Sequence, residues 1–226
     1  MGGRVGFIAL SLGRREMNIQ LFESVIQWLG GVFAYAALGF VLYGVWRGTQ
    51  RQAGRTTGLN NGWLRSWWFY LASSAIFFGI AYLGWRPLAL NISPSTRTAM
   101  LIAGSLLYFP GMALLLWGRL ALGKNYFVST GFGAQLFSEH QLVISGPYAV
   151  MRHPMYVGLM LAALGSLLLY ITWTTLYFAC FSPFMFIRAW REEQALAAEF
   201  GEQWIEYCKR VPAFIPRLRK ERHDQS

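Results

Sequence analysis

Long stretches without a charged residue alternate with short charged stretches along this chain. Residues 24–46, 66–85 and 98–118 each lack Asp, Glu, Lys and Arg. Their lengths match one bilayer-spanning helix, which takes about 20 apolar residues. The pattern therefore predicts three membrane-spanning helices in the first half of the chain.

A fourth uncharged stretch, residues 154–187, is too long for a single span. As one helix it would be about 50 Å long, whereas the hydrocarbon core of a bilayer is about 30 Å thick. Two short, tilted helices that turn near residues 170–172 fit the stretch better. The complete pattern predicts five membrane segments, at about residues 25–46, 67–86, 99–120, 154–170 and 172–188.

The segment after these spans has the period of an amphipathic helix. Its apolar residues recur at spacings of four, four and three, which places them on one face. Pro212 and Pro216 then hold the chain extended, so the helix is expected to end at about Lys209. The residues of this apolar face are Leu196, Phe200, Trp204 and Tyr207.

The expected fold class is all-α: a multi-pass membrane protein with about five transmembrane helices, including a short C-terminal helical hairpin, plus a cytoplasmic C-terminal helix. Residues 2–16 have an apolar core too short for a convincing signal peptide, so they are predicted to be a loop or an interfacial segment. Residues 123–147 are polar and rich in glycine, and a loop of that length is usually functional or disordered. Their aromatic residues argue against disorder.

Composition and charge agree with a membrane protein. Hydrophobic residues make up 55% of the chain and charged residues 13%, which is too apolar for an ordinary soluble domain. Of the 20 Lys and Arg residues, five lie on one side of the predicted spans and fifteen on the side that holds the C-terminus. The positive-inside rule therefore predicts a cytoplasmic C-terminus, in the cell membrane of a prokaryote or the endoplasmic reticulum of a eukaryote.

The formal charge of +10 points to membrane lipids as partners, because anionic headgroups attract basic residues that flank the spans. Nucleic acid is not expected to bind, because these residues form no separate basic domain. The two cysteines, Cys180 and Cys208, are predicted to lie in a span and in a cytoplasmic helix, so no disulfide is expected. The sequence does not indicate an oligomeric state.

Candidate chemistry begins at the sequence Arg152-His153-Pro154, directly before the fourth uncharged stretch. A purely structural interpretation is available. Arg152 would extend its charge to the headgroups, His153 would lie in a loop, and Pro154 would begin a helix. Taken alone, these residues do not exclude that interpretation.

The predicted hairpin changes this picture, because it returns the chain to the membrane face from which it started. Arg188, Glu192 and Glu193 follow the hairpin, whereas His153 precedes it. Charged side chains are costly beside hydrocarbon and are expected to line a polar pocket at the level where water meets lipid. The sequence therefore predicts that these residues meet at the cytoplasmic boundary, although the two glutamates could also be solvated charges on an exposed helix.

Two sequences carry a family resemblance: GPYAVMRHPMYVG at residues 146–158 and REEQALAAEFGEQWIEYCKRVPAFIP at residues 191–216. They resemble the isoprenylcysteine carboxyl methyltransferase family and, more loosely, the phospholipid methyltransferases. The similar region covers roughly residues 140–217. Trp204 stands where the family usually has tyrosine, and Ala149-Val150 stands where it usually has Arg-Tyr.

The resemblance implies a single membrane methyltransferase domain over residues 1–226, with scaffold helices in 1–122 and the cofactor-binding and catalytic region in 123–226. The implied cofactor is S-adenosyl-L-methionine, and no metal is implied. The implied cofactor-binding residues are Tyr148, His153, Pro154, Tyr156, Gly158, Glu193, Tyr207, Arg210 and Pro212.

Within that set, His153 and nearby backbone are expected at the amino-acid end of the cofactor, and Glu193 as a polar anchor. Tyr156 and the segment Pro212–Pro216 are expected at the purine or ribose. Gly158 would allow a close approach of the backbone. Arg188 and Glu192 are the implied catalytic residues: Arg188 would hold an acidic acceptor, with Glu192 aligning it across one helical turn.

The implied function is carboxyl O-methylation of an isoprenylcysteine-type lipophilic acceptor at the membrane–cytoplasm interface. Methylation of a phospholipid amine or of a small-molecule nitrogen or sulfur is an alternative. A second alternative is a sterol-type reductase that binds NADPH, although an acidic pair suits its phosphates poorly. A channel, transporter or scaffold is also considered, but charges within the spans would be expected for transport.

Overall fold

The computed structural model describes residues 2–49, 53–58, 67–125, 129–130, 133–137 and 141–216. Its seven helices in these ranges are α1 (Gly2–Thr49), α2 (Trp67–Leu83), α3 (Pro94–Leu122), α4 (Pro154–Tyr170), α5 (Trp173–Phe181), α6 (Phe184–Phe200) and α7 (Glu202–Arg210). Its three strands are β1 (Ala53–Gly58), β2 (Ser129–Thr130) and β3 (Gly133–Phe137).

Helix α1 is a continuous helix of 48 residues. Residues 2–16 are therefore helical, so the predicted alternative of a loop is wrong. No proline interrupts this part of the chain, and its polar positions include Arg, Glu and Gln, which are good helix formers. The helix consequently extends beyond the first predicted span at its N-terminal end.

Two helical segments, Ile19–Gly44 and Pro94–Leu122, are long and apolar enough to cross a membrane. Only 17% and 33% of their most apolar windows are buried within the protein, whereas the core helix of a soluble protein would be mostly buried. Leu71–Leu83 and Pro154–Tyr170 are shorter apolar helices. The predicted segment 172–188 is not one helix, because a turn at Ser182-Pro183 separates α5 from α6.

Helices α3 and α4 pack with their backbones in contact. A Cβ atom at Gly111 would lie 2.7 Å from the carbonyl oxygen of Gly158, and one at Gly158 would lie 2.6 Å from that of Gly111. A Cβ atom at Gly165 would lie 2.5 Å from the backbone nitrogen of Tyr108. Small residues allow this approach between membrane helices, and the contact fixes the position of α4.

The chain reverses direction between α4 and α5, where the sequence predicts the turn of the hairpin. Ile171 has a left-handed backbone conformation with φ of 50°, which ends α4. The hydroxyl of Thr172 accepts a hydrogen bond from the backbone N–H of Thr175 at 3.2 Å and caps α5. The reversal directs α5 and α6 back toward the level at which α4 begins.

A polar cluster fixes the other end of α4. Arg97 donates hydrogen bonds to the carbonyl oxygens of Leu168 and Leu169 at 2.8 and 2.6 Å. Its guanidinium also pairs with Glu23 of α1, with N–O distances of 2.5 and 3.1 Å. The last carbonyl groups of a helix have no partner within the helix, so Arg97 stabilises this end while linking three helices.

A small antiparallel sheet adds to the helical frame and was not predicted. Its strand order is β1-β3-β2, with Gly58 opposite Gly133 and Ser129 opposite Ala134. The sheet joins the segment after α1 to the loop after α3, and its strands contact α6. The all-α prediction thus describes the main architecture and lacks this sheet.

The C-terminal helix predicted to reach Lys209 is interrupted. Gly201, with φ of 51°, ends α6, and α7 begins at the next residue. A positive φ favours glycine and is common where a helix ends. The predicted apolar face still forms a cluster, in which Trp204, Tyr207 and Val211 are buried against Leu142, Leu196 and Phe200.

Candidate active site

The turn before α4 is held in place by the extended segment after α7. The backbone N–H of Arg152 donates to the carbonyl oxygen of Pro212 at 2.9 Å, and that of His153 donates to Ala213 at 3.0 Å. Pro154 is fully buried and begins α4, where the lack of an N–H has no penalty. Residues 211–216, here called the strap, therefore lie along the start of α4.

Glu193 of α6 is the centre of a charged network. Its Oε1 accepts hydrogen bonds from Nε of Arg152 at 2.9 Å and lies 2.8 Å from Nη2 of the same residue. Nε2 of His153 lies 2.9 Å from the same oxygen. Nη1 of Arg152 donates to the carbonyl oxygens of Val211 and Cys208 at 2.9 and 3.3 Å. One arginine thereby connects α6, α7 and the strap.

The carboxylate of Glu193 is ionised in this environment. Burial by itself raises its pKa, but hydrogen bonds from His153 and Arg152 and the positive charge of Arg152 outweigh burial and lower it. The side chain of Arg152 is 12% exposed and that of His153 5%, whereas Glu193 retains 26%. Solvent can therefore reach the carboxylate but hardly reaches its two partners.

A second group of contacts surrounds Tyr156 in the first turn of α4. Its hydroxyl donates a hydrogen bond to Oε1 of Glu192. The guanidinium carbon of Arg188 lies 5.7 Å from the centre of the Tyr156 ring, within the range of a cation–π interaction. The two residues predicted to be catalytic are thus brought together at one tyrosine.

The imidazole of His153 lies between two aromatic rings. Tyr156 stacks on it with ring centres 5.7 Å apart, and Phe214 of the strap stacks on it at 5.2 Å. Phe214 also meets Phe186 of α6 edge to face at 4.7 Å. These contacts, together with Glu193, account for the burial of the histidine.

Other predicted cofactor residues have structural contacts. The hydroxyl of Tyr207 donates to the backbone carbonyl of Tyr148 at 2.6 Å, both residues are buried, and burial raises the pKa of Tyr207. Gly158 faces α3, so its close approach is to another helix. Arg210 is exposed in the last turn of α7.

Of the two glutamates predicted to meet the imidazole, Glu193 contacts it, whereas Glu192 contacts Tyr156. The resemblance places Arg152 in the cofactor motif and Phe214 within the segment Pro212–Pro216, but it implies no separate role for either residue. Arg152 stands beside His153 in the same motif, and that adjacency was the available signal. Nothing in the sequence indicates that Phe214 covers the imidazole.

The chain is similar in sequence to several known methyltransferases. A family model described as phospholipid methyltransferase matches residues 99–203. Protein-S-isoprenylcysteine O-methyltransferase of Schizosaccharomyces pombe is 39% identical over 80 residues, 34% of this chain and 34% of that protein. Protein-S-isoprenylcysteine O-methyltransferase B of Arabidopsis thaliana is 28% identical over 159 residues, 57% of this chain and 77% of that protein.

The chain is thus similar in sequence to protein-S-isoprenylcysteine O-methyltransferases over part of its length. It aligns with only about a third of the length of the S. pombe protein. Within the described residues of this chain, two helices are long and apolar enough to cross a bilayer.

Two further proteins are similar to this chain. A solved structure of the eukaryotic intramembrane Ras methyltransferase, an isoprenylcysteine carboxyl methyltransferase, has a TM-score of 0.47 and 25% identity, over 66% of this chain and 50% of that one. Delta(14)-sterol reductase of Mus musculus is 39% identical over 75 residues, 32% of this chain and 18% of that protein. Sequence similarity therefore reaches an enzyme with different chemistry.

Proposed function

We propose that the chain is an S-adenosylmethionine-dependent methyltransferase that acts at the membrane–cytoplasm interface. The proposed acceptor is the carboxylate of an isoprenylcysteine-type molecule. The observation that supports this most strongly is the contact of Glu192 and Glu193 with Tyr156 and His153, where the hairpin of α4 and α5 returns the chain. The relationship to O-methyltransferases supports the reaction class.

The residues of this site fit the proposed cofactor, which carries a sulfonium and an ammonium group as well as a carboxylate. The contacts of Glu193 with Arg152 and His153 share Oε1, and its side chain is 26% exposed, so we propose that the other oxygen binds the ammonium group. Glu192 adds a second negative charge.

The contacts refine the role expected for His153. Because Nε2 of the imidazole lies against Glu193 and the ring is buried, we propose that His153 and Arg152 hold Glu193 in place. Glu193 would then bind the ammonium group of the cofactor. The strap would cover the adenosine end and reduce access of water to the site.

Methyl transfer to a carboxylate requires the acceptor oxygen, the methyl carbon and the sulfur in line. The bound cofactor supplies the methyl group: a carbon–oxygen bond forms as the carbon–sulfur bond breaks, and the electron pair stays on sulfur. Arg188 would hold the acceptor carboxylate through charged hydrogen bonds, with Glu192 orienting the guanidinium. Orientation of this kind contributes about 7–11 kcal/mol in favourable cases. With an amine acceptor, Glu192 would instead serve as general base.

We also propose five membrane spans and a cytoplasmic C-terminus. Support comes from the apolar helices, from the reversal between α4 and α5, and from the excess of Lys and Arg on the C-terminal side. A protease site placed after residue 226 tests the orientation. We expect cleavage only when the cytoplasmic face is accessible, and cleavage from the opposite face would contradict the assignment.

The proposed reaction is tested by incubating purified protein with isotopically labelled donor and a panel of acceptors, followed by mass spectrometry. The panel contains a prenylated cysteine with a free carboxylate, its methyl ester, an amine-bearing phospholipid and a lipophilic thiol. We expect label on the free carboxylate and none on the ester. With Arg188→Ala, we expect near-normal binding of S-adenosylhomocysteine and severely reduced turnover. Label on no acceptor would contradict the proposal.

The match to Delta(14)-sterol reductase makes NADPH-dependent reduction the second candidate. The phosphates of NADPH require cationic partners, whereas Glu192 and Glu193 would repel them. Titration with NADPH separates the two candidates. Binding of NADPH but not of S-adenosylhomocysteine would favour the reductase.

A further inference from the structure

Tyr156 contacts three polar residues of the candidate site. Two of them lie in α6, and the third directly precedes α4. Its hydroxyl binds Glu192, one ring face is beside the guanidinium of Arg188, and the ring stacks on His153 with an interplanar angle of 20°. The first two contacts join Tyr156 to the residues proposed to handle the acceptor. The third joins it to the group that holds Glu193.

The position of Tyr156 is fixed by the packing of α4. Two residues further on, Gly158 lies in backbone contact with Gly111 of α3, and the preceding Met155 packs against Gly118. Pro154 is fully buried at the start of the helix. The ring therefore projects from an immobile turn, whereas Arg188 and Glu192 are long side chains that lose orientation easily.

We infer that Tyr156 is a positioning residue for the acceptor, holding Glu192 with its hydroxyl and Arg188 with its ring face. This inference rests on the proposed methyltransferase function and changes one expectation of the sequence, which associated Tyr156 with the purine or ribose of the cofactor. The donor is bound by Glu193 and its partners. Tyr156, at the start of α4, thereby contacts both Arg188 and Glu192 and the imidazole that holds Glu193.

The hydroxyl and the ring can be separated by two substitutions. Tyr156→Phe removes the hydrogen bond to Glu192 and keeps the ring face beside Arg188. A hydrogen bond to a charged group typically contributes enough for an effect of about 10- to 100-fold, so we expect kcat to fall by about that factor. Affinity for S-adenosylhomocysteine is expected to stay within about twofold, because Glu193 is untouched. Tyr156→Leu also removes the ring, and we expect it to raise KM for the acceptor.

A double-mutant cycle with Glu192→Gln tests whether the hydroxyl acts through the carboxylate. If it does, Tyr156→Phe lowers kcat in the wild-type background and has little further effect in the Glu192→Gln background. Tyr177→Phe is the matched control, because Tyr177 is exposed on α5 and contacts neighbouring phenylalanine rings. We expect wild-type kinetics from this control, and thermal unfolding in detergent shows whether each variant is folded.

Additive effects in the cycle would overturn the inference while leaving the methyltransferase function intact. A loss of S-adenosylhomocysteine affinity of more than about tenfold in folded Tyr156→Phe would assign the tyrosine to the donor instead. Failure of the wild-type protein to methylate any acceptor would overturn the proposed function, and the inference with it.

Discussion

Substitution of Gly158 by alanine separates two explanations for this glycine. The sequence suggests that it lets the backbone approach a cofactor, whereas the structure has it facing α3. A Cβ atom there would lie 2.6 Å from the oxygen of Gly111 and 2.7 Å from the nitrogen of Leu115. Both are backbone atoms of a helix, so neither can rotate away as a side chain would.

The magnitude follows from two opposing terms. Alanine is favoured over glycine in a helix by about 1 kcal/mol, which stabilises the variant. Overpacking of a close contact costs about 1–3 kcal/mol, and a backbone-to-backbone clash lies toward the upper end. Gly79→Ala in α2 provides the control, because no atom lies within 4 Å of a Cβ atom at that position. Comparing the two variants cancels the propensity term, so we expect Gly158→Ala to be less stable by about 2–3 kcal/mol.

The assay is unfolding of both variants in detergent, followed by titration with S-adenosylhomocysteine at a temperature where both are folded. We expect a loss of stability in Gly158→Ala, with residual affinity in the folded fraction. If Gly158→Ala is as stable as the wild type but does not bind S-adenosylhomocysteine, the packing explanation is refuted. That result would support a contact between Gly158 and the cofactor.

Three further predictions concern the charged contacts. Arg152→Lys cannot reproduce the contacts with Glu193 and with the carbonyls of Cys208 and Val211, so we expect lower thermal stability and faster proteolysis after residue 210, measured by mass spectrometry. Because the pKa of Glu193 is lowered in the folded protein, the ionised carboxylate stabilises the fold fully above its unfolded pKa of about 4.5. This stabilisation is lost as the pH falls through the lower, folded pKa. In Glu193→Gln, we therefore expect the unfolding temperature to depend less on pH in that acidic range. Arg97→Ala removes the partner of the last α4 carbonyls, and we expect it to lower the unfolding temperature without changing cofactor affinity, as measured by calorimetry. Unchanged proteolysis, an unchanged acid profile, or loss of affinity in Arg97→Ala would contradict these expectations in turn.

Much of the helical frame could be predicted from the sequence because charge marks the ends of apolar helices. Helix α4 has the predicted bounds, since Pro154 begins it and the uncharged stretch is long enough to require a reversal. The break at Gly201 was not predicted, because the apolar period continues on both sides of it. The sheet was not predicted either, because β1 pairs with β3 about 80 residues later, and local pattern carries little information on such pairing.

The sequence was enough to predict which segments of the chain meet at the candidate site. The reversal between α4 and α5 is a matter of length and polarity, so it brings His153 toward Glu193 whatever the details of packing. Which donors share the Glu193 carboxylate depends on side-chain geometry. The contact of Arg152 with Glu193 and the placement of Phe214 on the imidazole are therefore evident only in the structure.

Binding of S-adenosylhomocysteine, measured by isothermal titration in detergent, tests most directly whether Glu193 and its partners hold a methyl donor. Wild-type protein should bind, Glu193→Gln should lose most of that affinity, and Glu206→Gln, the same change on the exposed face of α7, should bind like wild type. Equal affinity in all three proteins, or no binding by the wild type, would contradict the assignment of this site.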